Sequence, residues 1–149
     1  MWATDVPECT ITSGEILVAR SNTPELVGRV AMFTGDPKGA VASDLTIRIW
    51  PSGAIVPGFL TGYLSYLYQA GYWKERAGGA SGSMKKITRE QIQAERVPVP
   101  AIADQLRIVT KLNEQMASAR RTRKAIDEEL DAVNTLPAAL LRRAFSGGL

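Results

Sequence analysis

The sequence predicts an α+β protein, in which a small mixed, β-rich domain over residues 1–98 precedes a long coiled-coil helix and a short C-terminal helix over residues 99–149. Two observations predict this division. Short apolar runs alternate with turn-forming residues in the first part of the chain. From residue 101 to residue 134, by contrast, the chain contains no glycine or proline, and its apolar residues recur at helical spacing.

Three strands are predicted in the first part, over residues 15–20 (EILVAR), 26–33 and 44–50. The third alternates well, with Leu45, Ile47 and Ile49 expected on a buried face and Thr46, Arg48 and Trp50 on the other. A helix is predicted to begin near Pro57 and to be capped by Gly71. One of its faces carries Leu60, Leu64 and Leu67; another carries Tyr63, Tyr66, Ala70 and Trp73, for which packing against the sheet is favoured over base stacking.

A glycine- and serine-rich loop follows at residues 77–83 (AGGASGS), surrounded by Lys74, Arg76, Lys85 and Lys86. Exposed backbone N–H groups among cations suit contact with phosphates, but a flexible solvated linker explains the composition equally well. Thr88 and Gln91 predict a capping box for a short helix. The prolines of residues 96–100 (RVPVP) predict extended chain, and the domain boundary is placed there.

The long helix carries a heptad seam with intervals of 3 and 4 residues, broken in its apolar character only by Arg123; its members are Val109, Leu112, Met116, Ala119, Arg123, Ile126, Leu130 and Val133. A rod of about 50 Å cannot be covered by one small domain, so it is expected to pair with another helix. A basic block (residues 120–124) precedes an acidic block (127–131), which favours antiparallel pairing. The alternative is a solvated charged surface with local pairs. Thr135 and Pro137 are expected to interrupt or kink the helix before a short apolar one.

The composition narrows the function classes. With a net charge of +3 and a pI near 9.2, the chain is mildly basic, which is compatible with a polyanionic partner. It has no histidine and one cysteine, Cys9, so histidine-based catalysis, histidine-containing metal sites, cysteine zinc sites and an internal disulfide are excluded. No catalytic residue, metal or cofactor is predicted, and an enzyme built around Cys9 is disfavoured. Without a membrane-spanning run or a signal peptide, a cytoplasmic location and no membrane partner are expected.

Four stretches in order resemble the specificity subunits of type I restriction-modification systems. Residues 13–20 (SGEILVAR) resemble the family's "GDILV" strand, and residues 79–87 its glycine/serine loop. Residues 97–108 (VPVPAIADQLRI) are similar to the "IPLPPLAEQ-RIV" start of the family's helix, with Asp104 where the family usually has Glu. Residues 136–147 (LPAALLRRAFSG) resemble the family's "LL..AF.G.L" ending.

The resemblance implies a non-catalytic subunit that recognises double-stranded DNA. Members of the family carry two target-recognition domains, each followed by a long helix, and the two helices pair antiparallel. Methyltransferase subunits, which methylate adenine with S-adenosylmethionine, and motor-nuclease subunits assemble on them. This chain matches one such domain without its opening strands, so we expect a half-size subunit with a partial target-recognition domain, acting as a homodimer. The alternative is a truncated relative that does not read DNA but binds specificity or methyltransferase subunits and modulates assembly.

Candidate DNA contacts are polar or cationic side chains near the predicted turns and the glycine/serine loop. They are Arg20, Ser21, Asn22, Arg48, Lys74, Arg76, Ser81, Ser83, Lys85 and Lys86.

Overall fold

The computed structural model describes residues 10–79 and 83–146, and it contains two compact units, one up to Val109 and the other from Thr110. Its elements, in chain order, are β1 (Ile16–Ala19), β2 (Ser21–Asn22), β3 (Val30–Met32), β4 (Thr46–Ile49), α1 (Pro57–Gln69), α2 (Tyr72–Arg76), β5 (Lys85–Lys86), α3 (Arg89–Gln93) and α4 (Ile102–Phe145). The predicted α+β class with a long helix is confirmed. No helix in the described part of the chain is both long and apolar enough to cross a membrane.

A three-stranded antiparallel sheet forms the centre of the first unit, with β1 between β3 and β4. Val18 lies opposite Val30 on one side and Ile47 on the other. The predicted leucine face of α1 is confirmed, since Leu60, Leu64 and Leu67 are all buried in the same core as Ile16, Val18 and Ile47. Burial of these branched side chains is the main stabilisation of the unit, because each contributes about 1.5–3 kcal/mol.

Several local predictions for this unit are wrong. Leu45 is 50% exposed, because β4 begins only at Thr46 and Leu45 lies before the sheet. The second predicted strand is shortened to β3, because residues 23–29 form turns in which the N–H of Val27 donates to the carbonyl of Thr23. Tyr66 is 65% exposed and therefore does not pack in the core.

Trp73 reaches the core from a different helix than the sequence predicts. Gly71 adopts a left-handed conformation (φ 78°), which ends α1 and redirects the chain into α2. Trp73 on α2 is then only 1% exposed and packs directly on Gly28, where an added Cβ would lie 2.5 Å from the Trp73 Cβ. A glycine at position 28 is therefore required both by its positive φ of 79° and by this close approach.

The start of α4 is fastened to the first unit by one buried amide. Gln105 is fully buried; its Oε1 accepts a hydrogen bond from the N–H of Val56 at 2.8 Å. Its Nε2 donates to the carbonyls of Ala54 (3.0 Å) and Pro100 (2.9 Å). Three hydrogen bonds to backbone groups satisfy the buried amide and fix the point at which the helix leaves residues 95–101.

The helix continues through Pro137, so the predicted interruption at Thr135 and Pro137 is wrong. The predicted short C-terminal helix is the last part of α4. Proline removes only one backbone donor, and the strong helix formers after it (residues 138–145, AALLRRAF) restore the hydrogen-bond ladder. The Thr135 hydroxyl donates to the Ala132 carbonyl at 2.8 Å, just before the proline.

Candidate functional site

Two candidate segments that are more than sixty residues apart in sequence meet in a two-stranded antiparallel ribbon. Strand β2 pairs with β5 so that Ser21 lies opposite Lys86 and Asn22 opposite Lys85. We call residues 20–22 and 85–86 the basic ribbon. It continues directly from the core sheet, because the N–H of Ile87 donates to the carbonyl of Arg20 at 2.9 Å and Ile87 is fully buried.

The first glycine of the predicted loop, Gly78, extends the ribbon. The N–H of Gly78 donates to the Lys86 carbonyl at 2.9 Å, and the N–H of Lys86 donates to the Gly78 carbonyl at 2.7 Å. The first part of the glycine/serine stretch is therefore paired backbone, which favours a defined surface over a flexible linker at Gly78. Ser81 lies outside the described residues, and Ser83 is an exposed turn residue beside β5.

The ribbon carries positive charge that the described residues do not neutralise by ion pairing. Lys86 is exposed, Lys85 is half-buried, and neither forms an ion pair within residues 10–79 and 83–146. The Arg20 Nη1 approaches the Asp44 carbonyl at 3.5 Å, and its buried Nε has no hydrogen-bond partner in that part of the chain. The pKa of Glu90 is lowered mainly by hydrogen bonds at the start of α3 and also by the Arg20 charge. Such cations suit contact with an anionic polymer.

Lys74 and Arg76, on α2, have partners of their own. The Lys74 Nζ lies 3.9 Å from a carboxylate oxygen of Glu25, and both side chains are more than half exposed, so this ion pair is weak. The Arg76 guanidinium stacks over the Tyr72 ring at 3.6 Å. Both cations stay accessible to solvent and remain candidates for contacts outside the ribbon.

Arg48 occupies a very different environment from the other candidates. Its Nε and Nη2 donate to the two carboxylate oxygens of Glu15 at 2.8 and 2.9 Å, and Nη2 also donates to the Thr10 carbonyl at 2.8 Å. Its guanidinium lies 4.7 Å from the centre of the Trp50 ring. These contacts join β4 to the residues before β1, so the geometry gives Arg48 a structural role.

Glu15 is the partner that the sequence did not single out. Its side chain is 2% exposed, and it also accepts hydrogen bonds from the N–H and hydroxyl of Thr12 at 2.7 and 2.6 Å. The hydrogen bonds from Arg48 are the largest influence, and they lower its pKa from 4.5 to about 2 against the opposing effect of burial. The sequence shows an acid at the start of one strand and an arginine in another, but it does not show that they pair, because the pairing depends on the order of the strands in the sheet.

A second cluster missed from the sequence lies at the start of the extended segment before α4. The hydroxyls of Tyr63 and Tyr72 both donate to the Glu95 carboxylate, at 3.2 and 2.5 Å. The pKa of Tyr63 is raised first by burial, and that of Tyr72 first by its hydrogen bond to Glu95. The cluster fixes Glu95 on α1 and α2. It therefore sets the path of the chain toward α4.

The predicted seam forms an exposed apolar stripe along the second unit. Leu112, Met116, Ile126, Leu130 and Val133 are 41–60% exposed. Ala119 and Arg123 complete the stripe, and the Arg123 side chain is 85% exposed. Val109, the first predicted member, is instead half-buried beside Gly58 of α1. The exposed part of the stripe therefore begins at Leu112.

The basic and acidic blocks of the helix make only loose contacts within the chain. The Arg123 Nε lies 3.8 Å from an Asp127 carboxylate oxygen, and the Lys124 Nζ lies 3.6 Å from one of Glu128. All four side chains are at least 65% exposed, so these pairs contribute little to stability. The described residues contain no group of three or more side chains suited to hold a metal ion.

Comparison with known proteins gives two similar sequences. The chain is 26% identical over 143 residues to the type I restriction enzyme StySPI specificity subunit of Salmonella potsdam, covering 94% of this chain and 30% of the relative. It is 21% identical over 146 residues to a protein of Methanocaldococcus jannaschii described as a type I restriction enzyme MjaX specificity subunit, covering 97% and 33%. The chain thus spans about a third of the length of these curated relatives. No protein-family model matches it.

Proposed function

We propose that this chain is a DNA-recognition and assembly subunit of a type I restriction-modification complex. In this proposal the first unit contacts double-stranded DNA through the basic ribbon, and α4 pairs antiparallel with the same helix of a second copy. The similarity to two proteins described as type I specificity subunits supports the general role, since it extends over 94–97% of this chain and therefore includes residues of both units. No catalytic step is assigned to the chain.

The observation that carries the DNA contact is the convergence of Ser21 and Asn22 with Lys85 and Lys86 in one ribbon. A two-stranded ribbon fits the major groove of B-form DNA, where lysine and asparagine side chains reach base edges. Lysines also contact phosphates, and more than half of the hydrogen bonds in protein–DNA interfaces go to the DNA backbone. We therefore assign Lys85 and Lys86 to phosphates, and Ser21 and Asn22 to positions nearer the bases. Arg48 is not included among the proposed DNA contacts, because its guanidinium is hydrogen-bonded to Glu15 and Thr10.

The pairing of α4 follows from its exposed stripe. Five large apolar side chains along one helix face lose solvent contact only when another helix covers them. The proposed partners beyond the second copy are the methyltransferase and motor-nuclease subunits of such complexes. Co-purification of this chain with a cognate methyltransferase subunit tests that assembly directly. If the chain forms its homodimer but does not co-purify with the methyltransferase subunit, the proposed assembly is contradicted.

Salt-dependent DNA binding tests the ribbon. Fluorescence anisotropy with a random-sequence duplex, repeated between about 50 and 200 mM salt, measures the number of phosphate contacts. The double variant Lys85→Ala/Lys86→Ala is expected to bind more weakly at every salt concentration and to reduce the log–log salt slope by about 2, because each phosphate contact contributes about 0.9. The matched control is Lys38→Ala. This exposed lysine lies in a turn between β3 and β4, outside the residues of the ribbon.

Two outcomes would contradict the DNA-reading role. An unchanged salt slope in the lysine double variant would remove the ribbon from the interface. Absence of any duplex binding at about 50 mM salt, alone and with methyltransferase subunits, would favour the alternative of an assembly factor that does not read DNA.

A further inference from the structure

We propose that α4 selects a second copy of this chain in one antiparallel register, with the two-fold axis passing between Lys124 and Ala125, and that Arg123 is the residue that fixes this register. The inference rests on the proposed pairing of α4 and deepens it. The exposed seam alone permits several alignments, because an apolar stripe that repeats every seven residues can slide by one heptad, about 10.5 Å, and still be covered.

The heptad positions limit the alignments to a short set. In an antiparallel pair, seam residues of the series that contains Met116, Arg123 and Leu130 face those of the series that contains Ala119, Ile126 and Val133. In the central register, Met116 faces Val133 of the second copy, Ala119 faces Leu130, and Arg123 faces Ile126. Sliding one heptad toward the N-terminus brings Met116 opposite Ile126, and sliding the other way brings it opposite Leu140.

The charge contacts across the helix pair are favourable in the central register and unfavourable in the two registers shifted by one heptad. In the central register, Arg123 and Arg120 of each copy lie beside Asp127 of the other, so basic and acidic blocks are matched twice by symmetry. After the slide toward the N-terminus, Arg120 meets its own symmetry mate and Arg123 lies next to Arg120. After the opposite slide, Asp127 meets its own symmetry mate and Arg123 lies beside Asn134. Each neighbour therefore places like charges together at the flank of the seam.

A parallel pair is disfavoured by the same residue. In register, it would set Arg123 directly against Arg123 in the middle of the seam, with two buried guanidinium groups and no carboxylate between them. The contact that Arg123 makes in the free chain is weak, since Asp127 lies at 3.8 Å and is 65% exposed. Arg123 is therefore free to turn toward an acid of the second copy.

The shape of the helix surface agrees with the central register. A shallow recess lies on the second unit, where the small side chains of Ser118, Ala119 and Thr122 are bordered by the larger ones of Gln115, Arg123 and Ile126. The central register places Leu130 of the second copy opposite this recess, as a knob enters a hole. The two slid registers would put Arg123 or Pro137 there instead, and neither offers a branched apolar side chain of that size.

Cysteine cross-linking distinguishes the registers in the full chain. In a Cys9→Ser background, Met116→Cys is combined with Val133→Cys or with Leu140→Cys. Leu112→Cys is combined with Leu130→Cys, which face each other after the slide toward the N-terminus, and the single Met116→Cys variant reports a parallel pair. The 116/133 combination is expected to form a covalent dimer under mild oxidation, or with a short bis-maleimide, and the other three are not. A cross-link within one chain cannot mimic the result, because residues 116 and 133 lie about 25 Å apart along the helix.

Charge reversal tests the role of Arg123. Arg123→Asp is expected to weaken the dimer by about tenfold or more in sedimentation equilibrium. The full swap Arg120→Asp/Arg123→Asp/Asp127→Arg, which reverses every charge at this contact, is expected to restore it. Arg121→Asp is the matched control, because Arg121 lies on the opposite side of the helix from the seam and should leave the dimer unchanged.

The outcomes separate this inference from the proposed function. A dimer that cross-links through 112/130, through 116/140 or through Met116→Cys alone would overturn the register and leave the pairing of α4 in place. An unweakened Arg123→Asp dimer would remove Arg123 as the determinant. A monomer at all concentrations would overturn both the register and the proposed pairing, whereas the DNA-binding measurement stands independently of each.

Discussion

Replacement of Glu15 by glutamine is expected to destabilise the first unit strongly. The substitution keeps the size of the side chain but removes the charge that receives both hydrogen bonds from Arg48. Glu15 is 2% exposed and Arg48 16%, so water cannot take the place of the lost carboxylate. Breaking such a pair by removing one partner leaves a charge buried without compensation.

The magnitude follows from the pKa of Glu15, which falls from 4.5 to about 2 on folding. A shift of that size corresponds to about 3 kcal/mol of folding free energy at neutral pH. Because the pKa is lowered, this contribution is fully present above about pH 4.5 and is lost as the pH falls through about 2. The wild-type protein and the Glu15→Gln variant should therefore converge in stability toward pH 2.

Urea denaturation followed by tryptophan fluorescence measures the effect, since the buried Trp73 reports on the core of the unit. Glu25→Gln is the matched control, because its ion pair with Lys74 is long (3.9 Å) and exposed, and it should cost less than about 1 kcal/mol. Equal destabilisation by the two substitutions would refute the reasoning. So would a Glu15→Gln deficit that is as large near pH 2 as at pH 7.

Three further substitutions test other parts of the structure. Gly28→Ala should cost at least about 2 kcal/mol in urea denaturation, because its Cβ would meet Trp73 at 2.5 Å and its φ is positive; a neutral result would contradict the close packing. Gln105→Ala should cost about 2–3 kcal/mol by the same measurement, because it leaves the backbone groups that hydrogen-bond to the amide without a partner. A loss below about 0.5 kcal/mol would count against this stabilising role of the amide. Pro137→Ala should stabilise α4 by up to about 3 kcal/mol, because alanine is a much better helix former than proline. Circular dichroism should then show a higher helical content and a higher thermal midpoint, whereas a decrease in either would indicate that the proline is required.

Local sequence patterns predicted the elements whose cause is local. The capping box of Thr88 and Gln91 is confirmed in both of its hydrogen bonds, because its residues lie three apart on one turn. The leucine face of α1 and the long helix follow from spacing alone. The predictions failed where strand ends are set by neighbouring strands, as at Leu45, and where a single proline was weighed against a strongly helical context, as at Pro137.

The candidate site was predicted as a list of residues but not as an arrangement. Ser21, Asn22, Lys85 and Lys86 were singled out by type, and their meeting in one ribbon could not be read from two segments so far apart. Conversely, Arg48 has the same chemistry as the other candidates and differs only in lying next to Glu15. Ion pairs between strands depend on sheet order, for which the sequence carries no short-range signal.

The sequence by itself therefore determined the apolar seam, the order of the charge blocks and the class of the fold, because each depends on spacing within one helix or strand. Only the tertiary structure decided which cations are committed to the core and which stay at the surface. It also decided that a buried amide, Gln105, holds the start of the helix. The physical reason is that a buried polar group is stable only with its partners in place, and those partners are brought together by the packing of distant segments.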